Sequence, residues 1–209
     1  MKTDELLTLL ERDKLREPQA GQALRVWLGP ALILSAVAMM LLFGIRFPMQ
    51  KTLLTPEIAP KFYLPLLIGL IATPVALRLA RPLGRVRLGW IWIFPLLGIA
   101  LLGYAYVTTP ADERVADFTG QTILPCLLSV PLFSAPMLGA LILSLRKGAV
   151  MAPERAGALA GLAAGGLGTA IYALHCTEDS PLFYVTWYGA GIGLTVLIGM
   201  FLGRKFLRW

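Results

Sequence analysis

Six stretches of about twenty mostly apolar residues, at 26–45, 62–80, 89–107, 121–145, 156–174 and 182–202, occupy most of this 209-residue chain. Each is long enough to cross the roughly 30 Å hydrocarbon core of a bilayer as a helix. A chain that is 57% hydrophobic and 15% charged, with a mean hydropathy of +0.72, lies outside the range of an ordinary water-soluble fold. A bilayer holds no water to satisfy open backbone groups, so spans of this kind are helical. The expectation is an all-α, polytopic membrane bundle with six transmembrane helices. The connections between the stretches are short, which excludes a sizeable soluble catalytic domain.

The net charge is +7, but its placement reads as topology and not as direct nucleic-acid binding. Of 19 Lys and Arg residues, fifteen fall in segments 1–25, 78–88, 146–155 and 203–209, and four in the alternate segments 46–61, 108–120 and 175–181. The positive-inside rule assigns the richer set to the cytoplasm. Both termini are then cytoplasmic, and the loops at 108–120 and 175–181 lie outside. The basic linkers, Arg81, Arg85 and Arg87 in one and Arg146, Lys147 and Arg155 in the other, also meet anionic lipid headgroups. The apolar run at 26–45 follows 25 mixed-charge residues and is too long for a signal-peptide core, so it reads as the first span.

Transporters and intramembrane enzymes place ionisable groups at mid-depth, where their cost marks a path or a site. None is expected here. Arg78 lies near the end of its span and can snorkel to the headgroups, and Tyr172, Trp187 and Tyr188 lie near an interface. Gly157, Gly161 and Gly165 repeat every fourth residue in the fifth span, a ridge that lets a neighbouring backbone approach closely. Pro125, Pro131 and Pro136 fall in the fourth span, with Pro74 and Pro95 in the second and third. Interior prolines remove helix donors and bend the span. Beside these breaks only Thr73 and Ser134 are polar.

Cys126 and Cys176 are the two cysteines of the chain, and His175 is its one histidine. The topology places both cysteines at the outer face, which is oxidising in bacteria. The fourth span runs inward and the fifth outward, so the start of one can lie beside the end of the other. A cysteine in a membrane helix is most simply a small apolar filler. A pair on one face instead suits a reversible disulfide, and thiolate with imidazole suits a transition or heavy metal. The set Cys126, Cys176 and His175 is therefore the candidate signal-sensing and metal-binding group, although its spacing matches no strong zinc signature. Glu178 and Asp179 are read as solvated loop charges.

Residues 3–17 read as a short cytoplasmic amphipathic helix. Thr3 is an N-cap candidate followed by acids in the first turn, and Leu6, Leu7, Leu9 and Leu10 share one face. Pro18 and Gly21 are expected to end it. The segment is too small for a core of its own, and Asp4, Glu5 and Glu11 give residues 3–11 a charge of −3. Negative charge disfavours anionic lipid, so a basic protein surface is the expected partner.

This N-terminal Thr-Asp-Glu-Leu-Leu-Thr-Leu-Leu run, the proline–glycine linker, the six spans and a cysteine near the start of the fourth form one pattern. With Tyr172-Ala-Leu-His175-Cys176-Thr-Glu-Asp-Ser180-Pro-Leu-Phe183 and the following Trp187-Tyr188, the chain resembles the NrsF-type membrane anti-sigma factors. These are negative regulators of extracytoplasmic-function sigma factors. The resemblance implies that residues 1–25 hold such a sigma factor inactive at the bacterial inner membrane. The contacts would come from Asp4, Glu5, Leu6, Leu7, Leu9 and Leu10. It also implies that residues 26–209 form a sensor domain whose two cysteines respond to metal stress, and that release permits transcription. No resident cofactor is required; a heavy or transition metal ion would bind the cysteine pair transiently. From a different class, a small transporter or metal-efflux protein fits the spans alone. A membrane thiol oxidoreductase is disfavoured by the lack of a Cys-x-x-Cys pair and of a quinone or haem ligand set.

Overall fold

A computed structural model describes residues 20–47, 53–56, 58–81 and 88–208. The proposed N-terminal helix, with Asp4, Glu5, Leu6, Leu7, Leu9 and Leu10, lies outside the described residues. The elements are α1 (Ala20–Leu42), α2 (Pro60–Arg78), α3 (Ile93–Thr108), α4 (Arg114–Thr119), α5 (Ile123–Leu145), α6 (Pro153–Ala173) and α7 (Pro181–Phe206), with a 3-10 turn over Leu88–Trp92 leading into α3. Six of these seven helices coincide with the six apolar stretches, and no strand occurs among the described residues.

Five apolar segments are individually long enough to cross a membrane. The exception is α3, with 16 residues, which at 1.5 Å per residue gives only about 24 Å. Its 3-10 lead-in adds about 10 Å at 2.0 Å per residue, which restores the length of a span. At the other extreme α1 is already helical at Ala20, ahead of the apolar stretch at 26–45, so Gly21, expected to close an N-terminal helix, lies inside α1. Three helices open on proline, at Pro60, Pro153 and Pro181, where the missing N–H costs nothing and the fixed φ suits the first turn. Pro131 and Pro136 are interior to α5 as expected, and Pro30 and Pro65 add interior prolines in α1 and α2.

The bundle is organised around α6. Of its spanning window 83% is buried inside the protein, against 22% for α1 and 28% for α7. Between helices in lipid the hydrophobic effect provides no drive, and close packing by small residues takes its place. The glycines of α6 serve three faces. A Cβ at Gly157 or Gly161 would run into the α7 backbone at Gly199 and Thr195, one at Gly166 into α2 at Pro65 and Gly69, and one at Gly168 into α5 at Ser134. The expected Gly157–Gly161–Gly165 ridge is thus the contact with α7. Three buried hydroxyls return to the carbonyl one turn earlier, Ser134 to Val130, Ser144 to Ala140 and Thr169 to Gly165, so these three are satisfied within their own helices. Ser35 of α1 instead donates across to the Phe133 carbonyl of α5 at 2.8 Å. Outward, α1, α3 and α7 present Ile33, Leu41, Leu96, Ile99, Leu197 and Phe201 to the surroundings, as lipid-facing surfaces do.

Alternating helix direction gathers the connections at two ends. At one, Ala20 and Leu24 of α1, Ala80, Val150 and Leu207 join a single apolar cluster, and Ala149 donates its N–H to the Ala80 carbonyl at 2.9 Å. The opposite end carries both cysteines.

Candidate functional site

Cys126 is the fourth residue of α5, and Cys176 follows the last turn of α6, where His175 and Cys176 both donate their N–H to the Tyr172 carbonyl. Fifty residues apart in sequence, the two thiols share one buried cluster with Val130, Phe133, Tyr172, Phe183, Tyr184 and Tyr188. Neither is in a disulfide, and their side chains are 0% and 2% exposed. They lie near enough for a charge on one to act on the other. Tyr188 closes the cluster beside Cys176, and its buried hydroxyl has no hydrogen-bond partner among the described residues.

The segments that carry the cysteines are joined by Glu178. Its Oε1 accepts the Gln121 N–H at 2.9 Å and the Thr122 hydroxyl at 3.2 Å. Both donors precede α5, so the carboxylate sits where the positive end of the helix dipole favours it. Gly120 makes the approach possible. Its φ of +50° is left-handed, and a Cβ there would run into the Phe183 ring and the Glu178 carboxyl. Trp187 Nε1 donates to the Phe118 carbonyl of α4 at 2.9 Å, which ties the start of α7 to the same connection.

Asp179 is bound more tightly still. Its two oxygens accept Arg46 in a fork at 2.7 Å each, and Lys61 Nζ lies 3.3 Å from Oδ1. Lys61 is 1% exposed and also donates to the Cys176 carbonyl at 2.6 Å. A buried ammonium is tolerated only when paired and hydrogen-bonded, and these two acceptors meet that need. Burial opposes ionisation of Asp179, but the hydrogen bonds from Arg46 and the charge of Lys61 outweigh it and hold the carboxyl below its usual range. Arg46 is correspondingly held more firmly protonated by its hydrogen bonds to Asp179. Arg46 also donates its backbone N–H to the Leu174 carbonyl at 3.1 Å.

The reading of Glu178 and Asp179 as solvated loop charges is therefore corrected: both are structural acceptors at this end. Proximity in space, which the sequence does not state, is the reason. Of the three residues of the candidate sensing and metal set, the fold brings Cys126 and Cys176 together. The His175 ring packs 5.0 Å from Phe43 and 6.1 Å from Tyr172. Among the described residues no three His, Cys, Asp or Glu side chains form a group able to hold an ion.

Arg46 and Lys61 were missed by the sequence reading, and two signals point to them. Basic residues on the basic-poor side are few, so each needs a reason to be there. Lys61 also stands in the first turn of α2, where a cation opposes the helix dipole. A third residue of that set, Arg114, stacks over Tyr106 at 4.3 Å and donates to the Thr109 carbonyl.

The fold and this cluster define a polytopic helical membrane protein with a buried thiol pair, locked by ion pairs, at one end of its bundle. The family model described as NrsF, negative regulator of sigma F, matches residues 11–209, and the chain belongs to this family of negative regulators of a sigma factor. It is 29% identical over 217 residues to the probable anti-sigma-F factor NrsF of Azospira oryzae, covering 100% of both chains. It is 30% identical over 215 residues to the anti-sigma-F factor NrsF of Caulobacter vibrioides, again covering 100% of both. No solved structure matches the chain.

Proposed function

We propose that the chain is an inner-membrane anti-sigma factor that sequesters an extracytoplasmic-function sigma factor through residues 1–25 and releases it when the cysteine pair at the outer end reacts. The curated relatives are named as anti-sigma-F factors, which supports a partner of the sigma-F type. The positive-inside count supports a cytoplasmic N-terminal segment and cysteines on the outer side.

One observation carries the sensing half of this reading: the two cysteines of the chain, fifty residues apart, meet unpaired in one buried cluster. Two chemistries suit them. A two-electron oxidant such as peroxide can take two electrons and two protons from the thiols to form a disulfide. A thiophilic metal ion can displace the protons and bind both sulfurs, with His175 as an additional ligand once its ring leaves Phe43. Both reagents must open the cluster to reach the sulfurs, and that opening is what the rest of the bundle feels. Shifting sigma occupancy from 99:1 to 1:99 requires a differential of roughly 5.5 kcal/mol, which is within reach of thiolate–metal binding.

The test is induction of a sigma-dependent reporter by cadmium or hydrogen peroxide in Cys126→Ser, Cys176→Ser and the double variant. Each single variant is expected to be as unresponsive as the double. Wild-type induction in all three would reduce the cysteines to packing residues.

A further inference from the structure

We propose that Asp179 is the latch that couples the thiol cluster to α1, and through α1 to the N-terminal segment. The proposal rests on the reading of the cysteine pair as the sensor, and it supplies the link between that sensor and the sigma-binding end.

Three contacts carry it. The Arg46 fork on Asp179 ties the Cys176 loop to the chain four residues beyond α1, with 2.7 Å at both oxygens. Lys61 ties the same carboxylate to α2 at 3.3 Å, and its closer bond, at 2.6 Å, goes to the backbone carbonyl of Cys176 itself. Two cations of different exposure thus share one carboxylate. Lys61 is 1% exposed, whereas the Arg46 side chain is 27% exposed and open to solvent.

The exposures give the latch a direction. Reaction at Cys176 moves its backbone and removes the carbonyl from Lys61. A buried ammonium deprived of one acceptor must draw harder on the other, and Asp179 is the other. Arg46, at the water-exposed edge, loses little by exchanging the carboxylate for water. The outer end of α1 then loses its ion pair to the loop and keeps only the Arg46 backbone bond to the Leu174 carbonyl and a longer one, at 3.4 Å, from the Arg46 side chain to the Thr177 carbonyl, and α1 is the helix that leads back to the N-terminal segment. Its remaining described hydrogen bond into the bundle interior, Ser35 to the Phe133 carbonyl, lies on the path between the two ends.

The experiment measures the sigma-dependent reporter in cells expressing the full chain, untreated and treated with hydrogen peroxide, with the amount of each variant in the membrane checked by immunoblot. Asp179→Asn removes the charge that holds Arg46 and is expected to raise untreated output by about tenfold, the size of an ordinary coupling between two sites. That rise should persist when Cys126→Ser and Cys176→Ser are added, because the latch acts after the thiols. Lys61→Met removes the competitor and is expected to stay repressed under peroxide. A general loosening of the bundle would raise output in both variants, so equal output from Lys61→Met and Asp179→Asn overturns the latch. Wild-type repression and induction in Asp179→Asn present at normal levels overturns it as well. Should that variant not accumulate, Arg46→Gln carries the same expectation and the same refutation. Wild-type induction in the chain lacking both cysteines would instead overturn the sensor reading, and the untreated output of Asp179→Asn would still decide whether α1 is latched.

Discussion

Glu178 accepts the backbone N–H of Gln121 at 2.9 Å across 57 residues of sequence, and this bond fixes the distance between the two cysteine-bearing segments. It works with the Thr122 hydroxyl on the same oxygen, and both donors lie just before α5.

Glu178→Ala should therefore loosen the thiol cluster more than the bundle. The loss of a carboxylate with two donors costs on the order of 1–3 kcal/mol, concentrated at this end. Alkylation of Cys126 and Cys176 by a membrane-permeant maleimide is expected to accelerate, with little change in the melting temperature of the purified protein. Unchanged labelling would show that the cluster is held by its aromatic packing alone.

The α6–α7 contact predicts a sharp contrast between two glycines. A Cβ at Gly161 would lie 2.5 Å from the Thr195 carbonyl oxygen, whereas one at Gly193 meets nothing within 4 Å. Gly161→Ala must push two backbones apart, at a cost of about 1–3 kcal/mol for overpacking, and should lower the melting temperature in detergent. Gly193→Ala should leave it unchanged. Equal effects would mean that α6 and α7 are not in this contact.

Acid should act on the cysteine end of the bundle through Asp179. Its carboxyl is held below the usual range, so the folded state binds a proton less readily than the unfolded chain does. The resulting stability is fully present above the ordinary aspartate value of about 3.9 and is lost as pH falls through the lower value in the fold. Melting temperatures measured from neutral pH down to about pH 3 should fall more steeply for the wild type than for Asp179→Asn. Parallel curves would show that the ion pairs add nothing to stability.

The N-terminal segment is open to a direct test. Burial of four leucines is worth up to about 1.5–3 kcal/mol each before the costs of association. Replacing Leu6 and Leu10 together by Asp should release the sigma factor constitutively, read as loss of its co-purification with membranes. Retained capture at normal protein levels would place the interface elsewhere.

The sequence by itself determined the class of fold, because hydrophobic length is a local property and a bilayer accepts apolar segments of that length only as helices. It also marked the Gly157–Gly161–Gly165 ridge, the interior prolines of α5 and the cysteines as a pair, since spacing and rarity can be read along a line. The inclusion of Gly21 in α1 and the 3-10 completion of α3 escaped it, because helix ends follow packing as much as composition. The cluster at the cysteine end escaped it for a stronger reason. Arg46, Lys61, Cys126 and Asp179 belong to four separate segments, and each taken alone looks like a snorkelling base, a packing thiol or a solvated acid. Only the antiparallel stacking of helices around α6 brings Arg46 and Lys61 onto Asp179 and packs Cys126 into the cluster that holds Cys176. Partly buried and held by two cations, a carboxylate becomes a structural joint in place of a surface charge.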